Sequence, residues 1–122
     1  MRVAGLGFRS HASLASLQAA LTLAEAQGGP AEALATLPAR AGAPALLALA
    51  QARGLPVLAV AVAGIATQTH SARIMARHAT GSVAEAAALA AAGPDASITV
   101  ARIVAPDGMA TCAMAEIRKG NP

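Results

Sequence analysis

The sequence predicts an α/β fold: three layers, α/β/α, around a mixed, mainly parallel sheet of about five strands that ends in a β-hairpin. Short apolar runs alternate with helix-periodic segments through the first three quarters of the chain, the pattern of strand–helix–strand units. The last quarter changes to two apolar runs around Pro106-Asp107-Gly108, a turn-forming tripeptide. The length of 122 residues suits one core, and no repeat or linker interrupts it, so residues 1–122 are expected to form a single domain.

Residues 2–7 read as a short buried strand that breaks at glycine. A helix follows, with Leu14, Leu17, Leu21 and Ala24 along one face. Ser10 or Ser13 can cap its start, and Gly28-Gly29-Pro30 stops it. Residues 33–37 form a second short strand. Pro44 opens a helix over 44–53 and Gly54 closes it, in Pro-first, Gly-last order. Residues 57–62 (VLAVAV) are continuously apolar, which predicts a central strand covered on both faces. Helices are expected over 71–79 and 82–92, the second ended by Gly93-Pro94. Strands over 97–104 and 109–117 complete the chain.

Composition narrows the function classes. Hydrophobic residues make up 56%, but they are mostly Ala, Leu and Val, with one Phe and neither Trp nor Tyr. That leaves no aromatic platform for stacking bases. The formal charge is +3, and eight of the nine basic residues are Arg, dispersed along the chain rather than gathered in runs. No nucleic-acid partner is therefore expected. Arginine is suited to paired recognition of carboxylates and phosphates, although a GC-rich coding sequence accounts for the composition by itself. Cys112 is the only cysteine, which fits a reducing compartment. The N-terminus lacks a signal-peptide pattern. The longest apolar run, residues 55–66, falls short of the roughly 20 residues that span a bilayer. A soluble, cytoplasmic protein without a membrane partner is expected.

Three places can carry chemistry. The segment Gly5-Leu6-Gly7-Phe8-Arg9-Ser10 sits where a strand runs into a helix, so its glycines can admit a ligand to the backbone and the helix start can attract an anion. It partly matches a dinucleotide fingerprint, with Glu25 at about the spacing of a ribose carboxylate, but the third glycine is missing. A plain tight turn explains it equally well. Thr80-Gly81-Ser82 leads into a helix on which Ser82 and Glu85 have capping-box spacing. Capping needs no ligand; hydroxyls and N–H groups there can also meet an anion. Lastly, Arg73 and Arg77 share one side of the 71–79 helix, with His70 close by, and with Arg9 they can dock several carboxylates. A solvated helix face is the plainer explanation. His11, His70 and His78 have no metal-ligand spacing, and Cys112 reads as a buried small side chain. No metal and no cofactor are expected.

The blocks G-L-G-F-R (5–9) with Ser13, L-A-T (34–36), P-A-L-L-A-L-A-x-x-x-G-L-P-V (44–57), and Ser71 followed by T-G-S-V-A-E-A-A-A-L (80–89) together resemble the CobE family and the C-terminal domain of CbiG, proteins of cobalamin biosynthesis. The resemblance covers nearly the whole chain, and the last block is its most specific part. Where the family pattern reads G-I-G-C-R-R-G-T-S, this chain has Phe8 for the Cys and Ser10-His11-Ala12 for Arg-Gly-Thr. After L-A-T, Arg40 keeps the family's positive charge while Ala43 removes its acid.

The resemblance implies a partner in the form of a polycarboxylate tetrapyrrole, a precorrin or cobyrinate-like corrin intermediate, and other cobalamin-pathway enzymes as further partners. It implies ligand contacts from Gly5, Gly7, Arg9, Ser13, Thr80, Gly81, Ser82 and Glu85, extended by Arg40, His70, Arg73 and Arg77. Three roles follow. The protein binds or carries the intermediate; or it hydrolyses a precorrin lactone, with His11 as the acid or base; or it is a structural subunit that buries the Ala-rich helix face of residues 84–92 against a partner. Substitution of the family's Cys and acid favours binding.

Overall fold

The computed structural model describes residues 1–67, 71, 72, 74, 75 and 81–117. They form a five-stranded sheet in the order β3-β2-β1-β5-β4, built from β1 (Arg2–Phe8), β2 (Ala33–Thr36), β3 (Val57–Ala59), β4 (Ala96–Val104) and β5 (Ala110–Ile117). The helices α1 (Leu14–Gly28), α2 (Pro44–Arg53) and α3 (Val83–Ala92) pack on its faces. β1 pairs parallel with β2, and β2 with β3. β5 pairs antiparallel with both β1 and β4. Four strands thus share one direction and only β5 opposes them, the mixed, mainly parallel sheet with a terminal hairpin that the sequence predicts.

Topology assigns the helices to layers. The chain moves from β1 to β2 to β3 in one direction, so right-handed crossovers place α1 and α2 on the same face. It then returns past β1 to reach β4, which places α3 opposite. Two cores result: Ala4, Leu6 and Met114 meet Leu17, Leu21, Leu46 and Leu49 on one side. Val3, Ala33 and Ala35 meet Ala86 and Ala87 on the other.

The caps follow the sequence closely. Ser13, rather than Ser10, caps α1, its hydroxyl accepting the Ser16 N–H at 3.1 Å. Gly29 ends α1 at φ 88°, and Gly54 ends α2 at φ 65°, conformations that disfavour a side chain. Ser82 caps α3 by accepting the Glu85 N–H at 3.2 Å. Ala72, Ile74 and Met75 are helical, and the rest of the expected 71–79 helix lies outside the described residues.

Two expectations need correction. β3 is the edge of the sheet, not a central strand, and it spans three residues rather than 57–62. Its partner β2 ends at Thr36, and Pro38 just beyond has no N–H to offer. Val60 makes one last bond to the Thr36 carbonyl at 2.9 Å before the ladder stops. The run is apolar because Val57 packs against the first core while Leu58, Val60 and Val62 pack in the second. The Ala-rich surface of the last helix is also not offered to a partner along its first turns, because Ala84 and Ala86–Ala88 are fully buried within the chain.

That burial depends on Gly5. A Cβ at this position would lie 1.9 Å from the Ala84 carbonyl oxygen and 2.7 Å from the Ala88 nitrogen. The glycine lets a helix backbone settle directly onto a strand, where small side chains on both elements allow native packing density. Far from it, the hairpin turn is tied to α1: the Ser16 hydroxyl donates to the Asp107 carboxylate, which also accepts the Met109 N–H at 2.9 Å. These bonds, the Ser16 bond foremost, hold the Asp107 carboxyl below its ordinary range.

Three outcomes follow. Gly5→Ala should lower the urea midpoint by the equivalent of about 3 kcal/mol through overpacking; Gly42→Ala, where a Cβ meets nothing within 4 Å, should stay within about 0.5 kcal/mol. Because the Asp107 pKa is depressed on folding, its contribution is present above the unfolded value of about 3.9 and lost as pH falls through the folded value. The stability deficit of Asp107→Asn, compared by urea unfolding at pH 7 and at acid pH, should therefore shrink at acid pH. Burial raises the Cys112 thiol pKa far above its ordinary value, so a thiol-specific disulfide reagent should leave it unmodified until the chain is unfolded.

Candidate functional site

In an open parallel sheet, the ends of strands flanking a reversal of winding leave a crevice at their carboxyl side. Here the winding runs from β1 toward β3, and the chain then crosses back to the other side of β1. The carboxyl end of β1 is the reversal point. An open cavity of about 530 Å³ lies there, within the usual range for small-molecule sites.

Six segments supply its walls. The end of β1 contributes Gly7 and Phe8, continuing into Arg9, Ser10 and His11. The end of β2 contributes Thr36 and Leu37, followed by Arg40 from the loop before α2. Ser82 and Val83 come from the start of α3, Met109, Ala110 and Thr111 from the turn and first residues of β5, and Arg102 from β4. Ser71 and Ile74 close a further side. Three arginines and a histidine thus face the space together with several hydroxyls, and no Asp or Glu is found among the described lining residues.

Hydrogen bonds fix the rim. The Thr36 hydroxyl donates to the Leu6 carbonyl at 2.8 Å, and Thr111 donates to Gly7 at 3.2 Å, joining three adjacent strand ends. Arg40 Nε donates to the Phe8 carbonyl at 3.2 Å, which draws the loop after β2 across the end of β1. The Arg9 N–H donates to the Met109 carbonyl at 3.2 Å and continues the β1–β5 ladder past the strand. These contacts leave a guanidinium most of its five donors for a bound anion.

Arg102 reaches the cavity through an irregularity. Val100 pairs with Met114 and Ile103 with Cys112, so Ala101 and Arg102 together oppose Ala113, a β-bulge. Its N–H donates to Glu85 Oε2 on α3, at 2.8 Å.

The structure separates the expected site residues. Gly7, Arg9, His11, Arg40 and Ser82 are brought together around the cavity. Gly5 lies in mid-strand beneath α3 and away from it, Ser13 is occupied as the α1 cap, and Glu85 is wholly buried behind the wall. Gly81 is buried, its carbonyl accepting the Ser71 N–H at 2.8 Å. His70, Arg73, Arg77 and Thr80 lie outside the described residues, as does His78. Glu25 is no ribose ligand: its carboxylate accepts the Ala31 N–H at 2.8 Å and pairs with Arg53 at the amino end of the sheet.

Sequence reasoning did not single out Thr36, Thr111 or Arg102 as site residues. For Arg102 a signal exists. The apolar positions Ile98 and Val100 keep one phase and Ile103 takes the other, so the alternation slips at Ala101-Arg102. No comparable local signal marks the two threonines. Among the described residues no group of three or more His, Cys, Asp or Glu side chains could hold a metal ion. No helix there is long and apolar enough to cross a membrane.

Comparison with known proteins agrees with this architecture. The family model described as cobalamin synthesis G C-terminus matches residues 2–115. No curated protein matches the chain. Among solved structures, the chain is similar to CobE, a protein from the cobalamin (vitamin B12) biosynthetic pathway, at 28% identity and a TM-score of 0.84, over 99% of this chain and 93% of that one. It is also similar to the cobalamin biosynthesis protein chiG from Agrobacterium tumefaciens str. C58, at 34% identity and a TM-score of 0.73, over 98% of this chain and 100% of that one. The chain belongs to the cobalamin synthesis G C-terminus family, and its role lies in cobalamin biosynthesis.

Proposed function

We propose that the cavity binds a polycarboxylate tetrapyrrole of the corrin pathway and that the protein acts as a carrier or accessory for it in the cytoplasm. One observation carries the reading: Arg9, Arg40 and Arg102 converge from three segments on a cavity with no carboxylate among its described lining residues. Charge-assisted pairs between guanidinium and carboxylate are the strong hydrogen bonds of such sites. Ser82 adds a helix start, which favours negative charge. Phe8, Leu37, Ile74 and Met109 supply apolar surface for the face of a macrocycle. The peripheral carboxylates of such a ring would meet the arginines while its face rests on these side chains.

A second reading is favoured by the position of His11. It lines the cavity, and among the described lining residues it is the side chain suited to exchange a proton. On that reading the protein hydrolyses a precorrin lactone, with His11 delivering or accepting the proton.

Titration with cobyrinic acid, followed through its corrin absorption bands, tests the first reading. Saturable binding should weaken with rising salt and vanish for the fully methyl-esterified ring. Arg9→Ala, Arg40→Ala and Arg102→Ala should each weaken it by roughly three- to thirty-fold. Equal affinity for the acid and the ester would overturn the polycarboxylate assignment. Loss of precorrin turnover in His11→Asn with binding intact would favour the hydrolase instead.

A further inference from the structure

We infer that Glu85 is a positioning residue for Arg102: from its buried place on α3 it holds the β4 bulge in the form that presents the Arg102 guanidinium to the cavity. Glu85 is fully buried, with no exposed surface, on a helix stretch that is otherwise alanine and valine. A carboxylate in such a place needs strong hydrogen-bond partners. One of them is the Arg102 N–H, at 2.8 Å.

The geometry joins three facts. Two register shifts interrupt the β4–β5 pairing, one between Ile98 and Val100 and one between Val100 and Ile103. At the second, Ala101 and Arg102 together oppose Ala113, and the Arg102 N–H turns to Glu85. Arg102 is half-buried, and a peptide donor shielded from water on one side is best satisfied by an acceptor from another element. The Glu85 carboxylate is that acceptor, reaching across from the layer on the α3 face. The bulge in turn redirects a side chain, and Arg102 lines the cavity.

The Ser82–Glu85 pair acquires a second meaning from this contact. Ser82 accepts the Glu85 N–H and lines the cavity itself. The Glu85 side chain extends from the same residue to β4. The helix start and Arg102, two walls from different layers, are thereby held at a set separation. Acceptor reach is the property that matters in this arrangement, more than the charge at position 85.

The ligand arm of the test rests on the polycarboxylate reading; the other arm does not. Glu85→Gln keeps an oxygen acceptor at the same reach without the charge, whereas Glu85→Asp keeps the charge one methylene short. Cobyrinic acid affinity should fall roughly tenfold in E85D, as in R102A. It should be largely retained in E85Q, and E85D/R102A should be no weaker than R102A alone. In parallel, without ligand, NMR should show faster exchange of the Arg102 amide and a shifted Arg102 Nε–Hε signal in E85D, both near wild type in E85Q. Affinity kept in E85D and lost in E85Q would overturn the inference, as would unchanged Arg102 signals in E85D. If cobyrinic acid binds none of these proteins, the polycarboxylate reading fails and the Arg102 signals alone decide.

Discussion

The architecture rests on the contact between α3 and the middle of β1. No side chain fits between Gly5 and the Ala84–Ala88 backbone, so helix and strand meet at a distance set by the main chain. This contact fixes where α3 begins. Ser82 and Val83 therefore arrive beside Gly7 at the carboxyl end of β1, the point where the winding of the sheet reverses. The cavity is a consequence of that placement. Its position follows from topology, its floor from the strand ends, and one wall from a helix that can approach only because a glycine lies beneath it.

Charge is distributed consistently with this plan. At the amino end of the sheet two arginines pair with acids: Arg2 with Glu116 at 3.7 Å, and Arg53 with Glu25. At the carboxyl end Arg9, Arg40 and Arg102 face a space without a described carboxylate. Arginines paired with local acids stabilise a surface modestly. Arginines gathered without them raise the local positive potential and concentrate anions from solution. A net charge of +3 on the whole chain conceals this asymmetry.

Much of the fold was legible because local chemistry decided it. The Pro44 and Gly54 signals, the Ser82 cap, the glycine stop after α1 and the Pro-Asp-Gly turn each specify a backbone geometry with little help from elsewhere. The place of β3 in the sheet was not legible, since strand order is a property of partners: an apolar run has the same composition at an edge when helices cover both its faces. Gly5 shows a subtler failure. A glycine near a strand end suggests access for a ligand, and only the three-dimensional packing reveals that a helix takes the space. The site was half legible for similar reasons. Arg9 and Ser82 adjoin recognisable junctions, and Arg40 follows the L-A-T block. Arg102 was hidden in a hydrophobic strand, betrayed only by a slip of alternation. Thr36 and Thr111 line the cavity through the neighbours that the sheet gives them.

On the proposed reading, the crevice at the β1 carboxyl end is the corrin site. Backbone amide NMR mapping of the protein titrated with cobyrinic acid decides this. The predicted result is a set of saturable perturbations concentrated at Gly7–His11, Thr36–Arg40, Ser82–Val83, Arg102 and Met109–Thr111. Perturbations centred on the outer faces of α1 and α2, or none at saturating ligand, would contradict it.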